Sequence, residues 1–255
     1  MKKSAVNRFR AFVMIGVLAA GSIACIAWKK NTHLPLALAS APVATEPALS
    51  RFQPSLYTVL HLDSLGLSKE AFDRAMSGFT RFDAAGKLSN NEVVSIVDFS
   101  LPSSRKRLFV IDVKNSKLLF NTYVSHGRGS GTASATRFSN RPESFKSSLG
   151  FYITGDTYIG QHGYSLRLEG QEKGINDNAQ KRGIVMHSAD YVDERLVHQQ
   201  GYIGRSEGCP AIPESLHRAI IATICNGSCL FLYSHDKYYT AHTRFALSDS
   251  ARSAA

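Results

Sequence analysis

RLFVIDVKNSKLLFNTYV, residues 107–124, sets the fold class of this chain. Arg107–Val113 is a short, largely apolar run, and Lys117–Val124 is apolar and partly β-branched, so both suit a strand of a pleated sheet. Val113-Lys114-Asn115-Ser116-Lys117 supplies the turn between them. Shorter strand-like runs follow at Leu149–Thr154, Tyr164–Leu168, Gly183–His187 and Cys229–Ser234, separated by glycine-containing loops. Upstream, Ser68–Phe82 is predicted as a helix. Ser68 is a fair N-cap, Glu70 favours the first turn, and Phe72, Met76, Phe79 and Phe82 make one core-facing side. Leu101-Pro102 closes this helical preface. Downstream, Pro213 and Glu214 fit the first turn of another helix, with Leu216, Ile220 and Ile224 as its inward stripe. The sum is a mainly β (α+β) domain with flanking helices and no internal repeat.

The chain divides into residues 1–30, a signal peptide or N-terminal membrane anchor; 31–54, a linker; 55–104, the helical preface; 105–240, the β-rich domain; and 241–255, a flexible tail. Ala11–Trp28 is 18 residues without a charge, led by a basic flank and closed by Lys29-Lys30. That is long for the core of a cleaved signal and just long enough to span a bilayer. Ala37-Leu38-Ala39 looks like a cleavage site but lies well past the apolar run, so an uncleaved anchor fits better than a cleaved signal. Excess Lys and Arg before the run predicts the amino terminus inside and the bulk of the chain outside. The expected location is therefore the cell envelope, periplasmic or extracytoplasmic, with attachment to the inner membrane if residues 11–28 are retained. The linker, rich in Ala, Pro, Ser and Leu, would hold the domain off the membrane.

The net charge of +10 is less telling than it looks. Residues 1–30 hold six basic side chains and no acid, leaving 24 basic against 20 acidic over the rest. That balance is too mild for a nucleic-acid footprint, and no nucleic-acid partner is expected. The loop His126-Gly127-Arg128-Gly129-Ser130-Gly131 lacks the strand–loop–helix context and the Lys-Ser/Thr ending of a phosphate cradle. It reads as a connecting or substrate-side loop.

Chemistry gathers at Gly204-Arg205-Ser206-Glu207-Gly208-Cys209-Pro210, with His187 standing 22 residues upstream. A free thiol titrates near ~8.5 and is only a few per cent thiolate at neutral pH; an adjacent imidazole can take its proton. Gly208 lets backbone and substrate come close, and Pro210 pushes Cys209 towards an extended conformation. On spacing alone, a thiol nucleophile with its base and a buried cysteine in a Gly/Pro turn stand equally open. Cys225 and Cys229 flank an Asn-Gly-Ser turn. They would form a small disulfide in an oxidising compartment, or occupy separate buried positions at a helix end and a strand start, which fits slightly better. A zinc site there lacks a second ligand pair, and no metal is expected.

The order His187, loop, Ser206-Glu207-Gly208-Cys209 resembles the Ser/Thr-x-Gly-Cys signature of YkuD-type L,D-transpeptidases. Ser147-Ser148-Leu149-Gly150-Phe151 is similar to the Thr-Pro-x-Gly-x-Phe strand of that family, with Ser in place of its first two residues. The run from His126-Gly127 through Gly160-Gln161-His162-Gly163-Tyr164 to Gly208-Cys209-Pro210-Ala211 looks like the murein L,D-transpeptidase catalytic-domain branch. The resemblance covers about residues 105–235, more loosely back to 55. One departure is plain: many relatives place Arg or Asn soon after the cysteine, where this chain has Pro210-Ala211.

The resemblance implies a YkuD-like β-sandwich or open-barrel catalytic domain and a cysteine acyltransferase that needs no metal or organic cofactor. Its partners would be peptidoglycan stem peptides, plus the membrane through residues 11–28 if these are uncleaved. Cys209 would attack the carbonyl before the terminal D-alanine of a tetrapeptide stem, with His187 as base and then acid. Backbone N–H groups at Gly208 and Cys209 would stabilise the oxyanion, and the thioester would pass to an amine of a neighbouring stem, giving a 3→3 cross-link. Water as acceptor would make an L,D-carboxypeptidase. A cell-wall cysteine peptidase and a non-catalytic wall-binding module are the other readings.

Ser206 suits shaping the turn or bonding the imidazole. Arg205 is a candidate carboxylate clamp or a surface charge. His162 and Tyr164 would line the donor cleft, although a loop histidine paired to a carbonyl fits His162 as well, and His126 shares both readings. His198 is expected to face solvent.

Overall fold

The computed structural model describes residues 55–245. In chain order the elements are α1 (Leu56–Val59), α2 (Lys69–Ala84), β1 (Val93–Asp98), β2 (Leu108–Asp112), β3 (Lys117–Thr122), β4 (Gly150–Gly160), β5 (Gly163–Gly170), β6 (Val185–Ser188), α3 (Glu194–Gln200), β7 (Ala211–Ile212), α4 (His217–Ile224), β8 (Cys229–Tyr233) and α5 (Lys237–His242). The expected hairpin is β2–β3, antiparallel from Leu108↔Thr122 to Asp112↔Lys117, with a bulge between Val110 and Ile111. The expected first helix is α2. The Ser68 hydroxyl accepts from the Ala71 N–H, and Phe72, Phe79 and Phe82 are buried.

The strands form a mixed eight-stranded sheet in the order β3-β2-β1-β8-β4-β5-β6-β7. It nearly closes into a barrel, because the chain leaving β3 crosses to the other edge. The Ser125 N–H donates to the Ala211 carbonyl at 2.8 Å, the Ala211 N–H returns to the Ser125 hydroxyl at 3.2 Å, and Gly127 bridges to Ser206 in parallel. The outer edge of β7 is thereby covered, which removes open ladder groups that would otherwise invite pairing with other chains. Phe151 and Phe231 stack at 4.2 Å in the core, with Phe82 and Phe245 against Phe151.

The mainly β expectation matches this architecture, and three features differ from the reading of the sequence. Residues 55–104 are more than a helical preface. They contain β1, buried along its whole length and paired antiparallel with β2 and parallel with β8. A strand covered on both faces has no alternation to display. Second, Pro213 lies in a turn, and α4 begins at His217, while Ile220 and Ile224 are buried as expected. Cys225 caps the end of α4, Cys229 opens β8, and neither is in a disulfide, as the better-fitting reading of the pair had it. Third, α5 runs across residue 240, and Phe245 packs against Phe82 at 4.9 Å, so the fold reaches into the segment expected as tail.

The expected membrane segment at 11–28, the linker up to residue 54 and the tail beyond 245 lie outside the described residues. Among the described residues no helix is long and apolar enough to cross a membrane.

Candidate active site

β6 carries His187, and the loop entering β7 carries Cys209. The two strands run parallel with His187 opposite Ala211 and Ser188 opposite Ile212. Two residues before Ala211, the sulfur comes beside Val185, whose N–H favours its ionised form. Cys209 and His187 both line a cavity of about 540 Å³.

The His187 ring is buried, and its Nδ1 lies 2.8 Å from the Ser188 carbonyl. A carbonyl can only accept, so Nδ1 holds the hydrogen and the neutral ring carries its lone pair on Nε2. Burial pushes the imidazole below its ordinary pKa, with neighbouring His162 acting the same way and the Ser188 bond opposing them. A neutral ring with a free Nε2 is what a proton acceptor requires.

Cys209 is half-buried, and its thiol points to the Gly183 carbonyl at 3.7 Å. Burial pushes the thiol pKa up and Glu207 adds to this, while the Val185 N–H and the Arg182 guanidinium pull it down. No hydrogen bond joins thiol and imidazole: the first is engaged with Gly183 and the second with Ser188. The resting geometry is therefore a protonated thiol and a neutral imidazole on one cavity. The sulfur has to turn away from Gly183 before a proton can pass between them.

The loop that presents Cys209 is held from within. The Ser206 hydroxyl accepts from the Gly208 N–H at 3.1 Å and donates to the Cys209 carbonyl at 2.6 Å. Gly208 has φ +129°, and a Cβ there would stand 2.9 Å from the Lys146 carbonyl oxygen, so only glycine fits. Ser147, fully buried, accepts from the Gly127 N–H and donates to the Gly208 carbonyl. The Gly208 N–H is thus already committed to Ser206, whereas the Cys209 N–H has no acceptor among the described residues. Of the two amides expected to meet an oxyanion, Cys209 keeps its donor free in the resting state.

Around the same cavity stand His162, Arg205 and Ser206. His162, at the tip of the β4–β5 hairpin, stacks on His187 with ring centres 4.2 Å apart. Arg205 is exposed at the rim and donates to the Gly131 carbonyl at 3.3 Å. Tyr164 is not part of the lining. It packs on the core, 6.4 Å from the His217 ring of α4. His126 is fully buried beneath the loop, with Nδ1 2.7 Å from Arg107. His198 is exposed on α3.

Two lining residues had no signal in the sequence. Tyr191 holds the strand–helix turn above the cavity, accepting from the Gly204 N–H at 2.7 Å. Burial first, then the nearby Cys209, pushes its phenol up to about 12. Arg182 precedes β6, and its guanidinium bonds back across the cavity floor to Ser139, Ser148 and Lys146. Among the described residues no group of three or more His, Cys, Asp or Glu is placed to hold a metal ion.

The sequence profile of the L,D-transpeptidase catalytic domain matches residues 63–233, about two-thirds of the chain. No curated protein matches the sequence. Among solved structures, the chain is similar to an L,D-transpeptidase from Mycobacterium smegmatis (15% identity, 56% of this chain and 59% of that one, TM-score 0.34). It is also similar to one from Stackebrandtia nassauensis (13%, 57% and 57%, 0.34). A third is the helical cell shape determining protein Pgp2 from Campylobacter jejuni (14%, 57% and 48%, 0.37). The chain spans about half to three-fifths of the length of these proteins.

Proposed function

Since the chain belongs to the L,D-transpeptidase catalytic domain family, we propose that Cys209 is the nucleophile and His187 the base of a peptidoglycan L,D-transpeptidase that forms 3→3 cross-links. The observation that carries this reading is the parallel pairing of β6 with β7, which brings the thiol and a neutral imidazole with a free Nε2 to one cavity.

The chemistry follows from those positions. A tetrapeptide stem enters the cavity, and the Cys209 side chain swings from the Gly183 carbonyl towards Nε2 of His187. The thiol proton passes to Nε2 as the sulfur attacks the carbonyl carbon before the terminal D-alanine. The oxyanion meets the Cys209 N–H, a donor worth roughly 3 kcal/mol in such a place. The C–N bond breaks, and the imidazolium returns its proton to the leaving amine. An amine of a second stem then attacks the thioester. Its proton goes to Nε2, and the sulfur leaves to recover its hydrogen. Arg205 at the rim suits the carboxylate of the donor, a role for which the Pro210-Ala211 pair offers no polar side chain. Export to the envelope, with residues 11–28 as anchor if uncleaved, is part of the same proposal.

The full chain incubated with a carbapenem should gain the mass of the drug on the Cys209 peptide, and C209A should gain none. With disaccharide tetrapeptide it should yield a cross-linked dimer and free D-alanine. D-Alanine released without dimer would make it an L,D-carboxypeptidase. No adduct and no turnover would leave a wall-binding module, and cleavage of unrelated proteins a peptidase.

A further inference from the structure

Arg182 sits on the floor of the Cys209 cavity, in an arrangement that the pairing of thiol and imidazole does not use. Its two terminal nitrogens make four hydrogen bonds to the segment Ser139–Ser148: Nη1 to the Ser139 carbonyl (2.9 Å) and the Ser148 hydroxyl (2.5 Å), Nη2 to the Ser144 hydroxyl (3.3 Å) and the Lys146 carbonyl (2.6 Å). None of these acceptors is a carboxylate, so the charge is unneutralised by its own partners. Nε–H is buried and donates to nothing among the described residues. Nη2 lies 3.3 Å from where a Cβ would stand on Gly208, the residue before the cysteine. The residue after the arginine, Gly183, receives the resting thiol.

We propose that Arg182 is a positioning residue that holds the Cys209 sulfur as a thiolate once its proton has left, through a fixed charge in the scaffold rather than through a contact with the His187 imidazolium. This rests on the reading of Cys209 as nucleophile. The only bond change is loss of the thiol hydrogen, which passes to Nε2 of His187 or to water, and the negative sulfur is left facing the guanidinium.

The other groups around the sulfur do not replace it. From its own loop, Glu207 repels a thiolate, and Arg205 is exposed and turned to Gly131. β6 and the turn after it bring neutral His187 and the Tyr191 phenol. The β4–β5 hairpin brings His162, stacked on His187, and Tyr158, whose ring carries Arg167 at 4.5 Å. A cation beside a half-buried sulfur is a standard way to favour its anion, and Arg182 acts in that direction on Cys209.

The test is the rate of iodoacetamide alkylation at Cys209 against pH, read by mass on its peptide in the full chain, with thermal melts as the check on folding. R182Q should raise the midpoint by about one pH unit, a tenfold loss of thiolate below it. R182K, which keeps the charge and loses the fork, should stay within a few tenths of wild type. An unmoved midpoint in R182Q overturns the proposal. So does an equal rise in R182K, because the hydrogen bonds rather than the charge would then matter. If R182Q gives no cooperative melt, R182K decides alone: a held midpoint supports the charge, and a full-unit rise overturns it. Carbapenem adduct formation on wild type, followed in parallel, reports on the acyltransferase reading separately. Adduct without a shift in R182Q removes only the role of Arg182, and a shift without adduct removes only the transpeptidase.

Discussion

Behind the cysteine loop, Arg107 and His126 meet with both side chains fully buried, Nη2 to Nδ1 at 2.7 Å. Arginine can only donate, so His126 accepts on Nδ1 and gives its Nε2 hydrogen to the Gly131 carbonyl at 3.2 Å. Burial, then the charge of Arg107, pushes the ring from 6.5 to about 4. A folded-state pKa below the unfolded one means that this stability is present above pH 6.5 and lost as the pH falls through 4. Urea unfolding should therefore weaken across that window, by at most about 3 kcal/mol for a shift of this size. H126N, whose side-chain oxygen still accepts from Arg107, should flatten the slope. At Gly208, an alanine is expected to cost about 1–3 kcal/mol, because φ is positive and the Cβ meets the Lys146 carbonyl; melts and carbapenem acylation of G208A check it. That His187 and Cys209 line one cavity was expected from the sequence, where local pattern left a thiol nucleophile and a buried cysteine equally open and the family resemblance favoured the first. Arg182 was not, since its acceptors Ser148 and Ser139 stand 34 and 43 residues earlier and no spacing rule joins them.

Among the elements, α5 is docked by a single carboxylate. Glu172, buried, accepts from the Phe151 N–H (2.9 Å), the Tyr239 hydroxyl (3.0 Å) and the Thr243 hydroxyl (2.5 Å). Burial raises its pKa, and those donors oppose the rise. Here the sign is the reverse of that at His126: the contribution is complete below the unfolded value of about 4.5 and lost as the pH rises through the raised folded value. E172Q keeps an acceptor for Phe151 and Tyr239 and offers Thr243 a donor. It should match or exceed wild type in urea melts at pH 8, with less loss between pH 5 and 8. E172A should lose about 1–3 kcal/mol by stranding the Phe151 N–H. The two short helices α3 and α5 had a signal that periodicity overlooked. Asp193 caps the first by accepting from Arg195 N–H at 2.8 Å, and Asp236 the second from Tyr239 N–H at 2.7 Å. β1 had none, because a strand buried along its whole length shows no alternation and does not say which two neighbours it will take.

For the molecule as a whole, the seam at Ser125 and Ala211 turns a sheet with two edges into a near-closed wall. S125A would leave the buried Ala211 N–H without its acceptor, at about 1–3 kcal/mol. Hydrogen exchange at Ala211 and Ser206 should then rise ahead of exchange in β1 and β8, and uniform loosening would speak against a local seam. The barrel character was expected from family resemblance, whereas no stretch of sequence announces this closure, since it joins a loop to a two-residue strand 86 positions away. The parallel pairing of β1 with β8, Val94 beside Cys229, has a consequence in time. One flank of the central strand waits for almost the last part of the domain to arrive, and pairings of such long range form slowly. Until then Cys209, Cys225 and Cys229 travel as open thiols in an unfinished chain. Oxidants met on the way can pair them wrongly before the loop that presents Cys209 has been set in place.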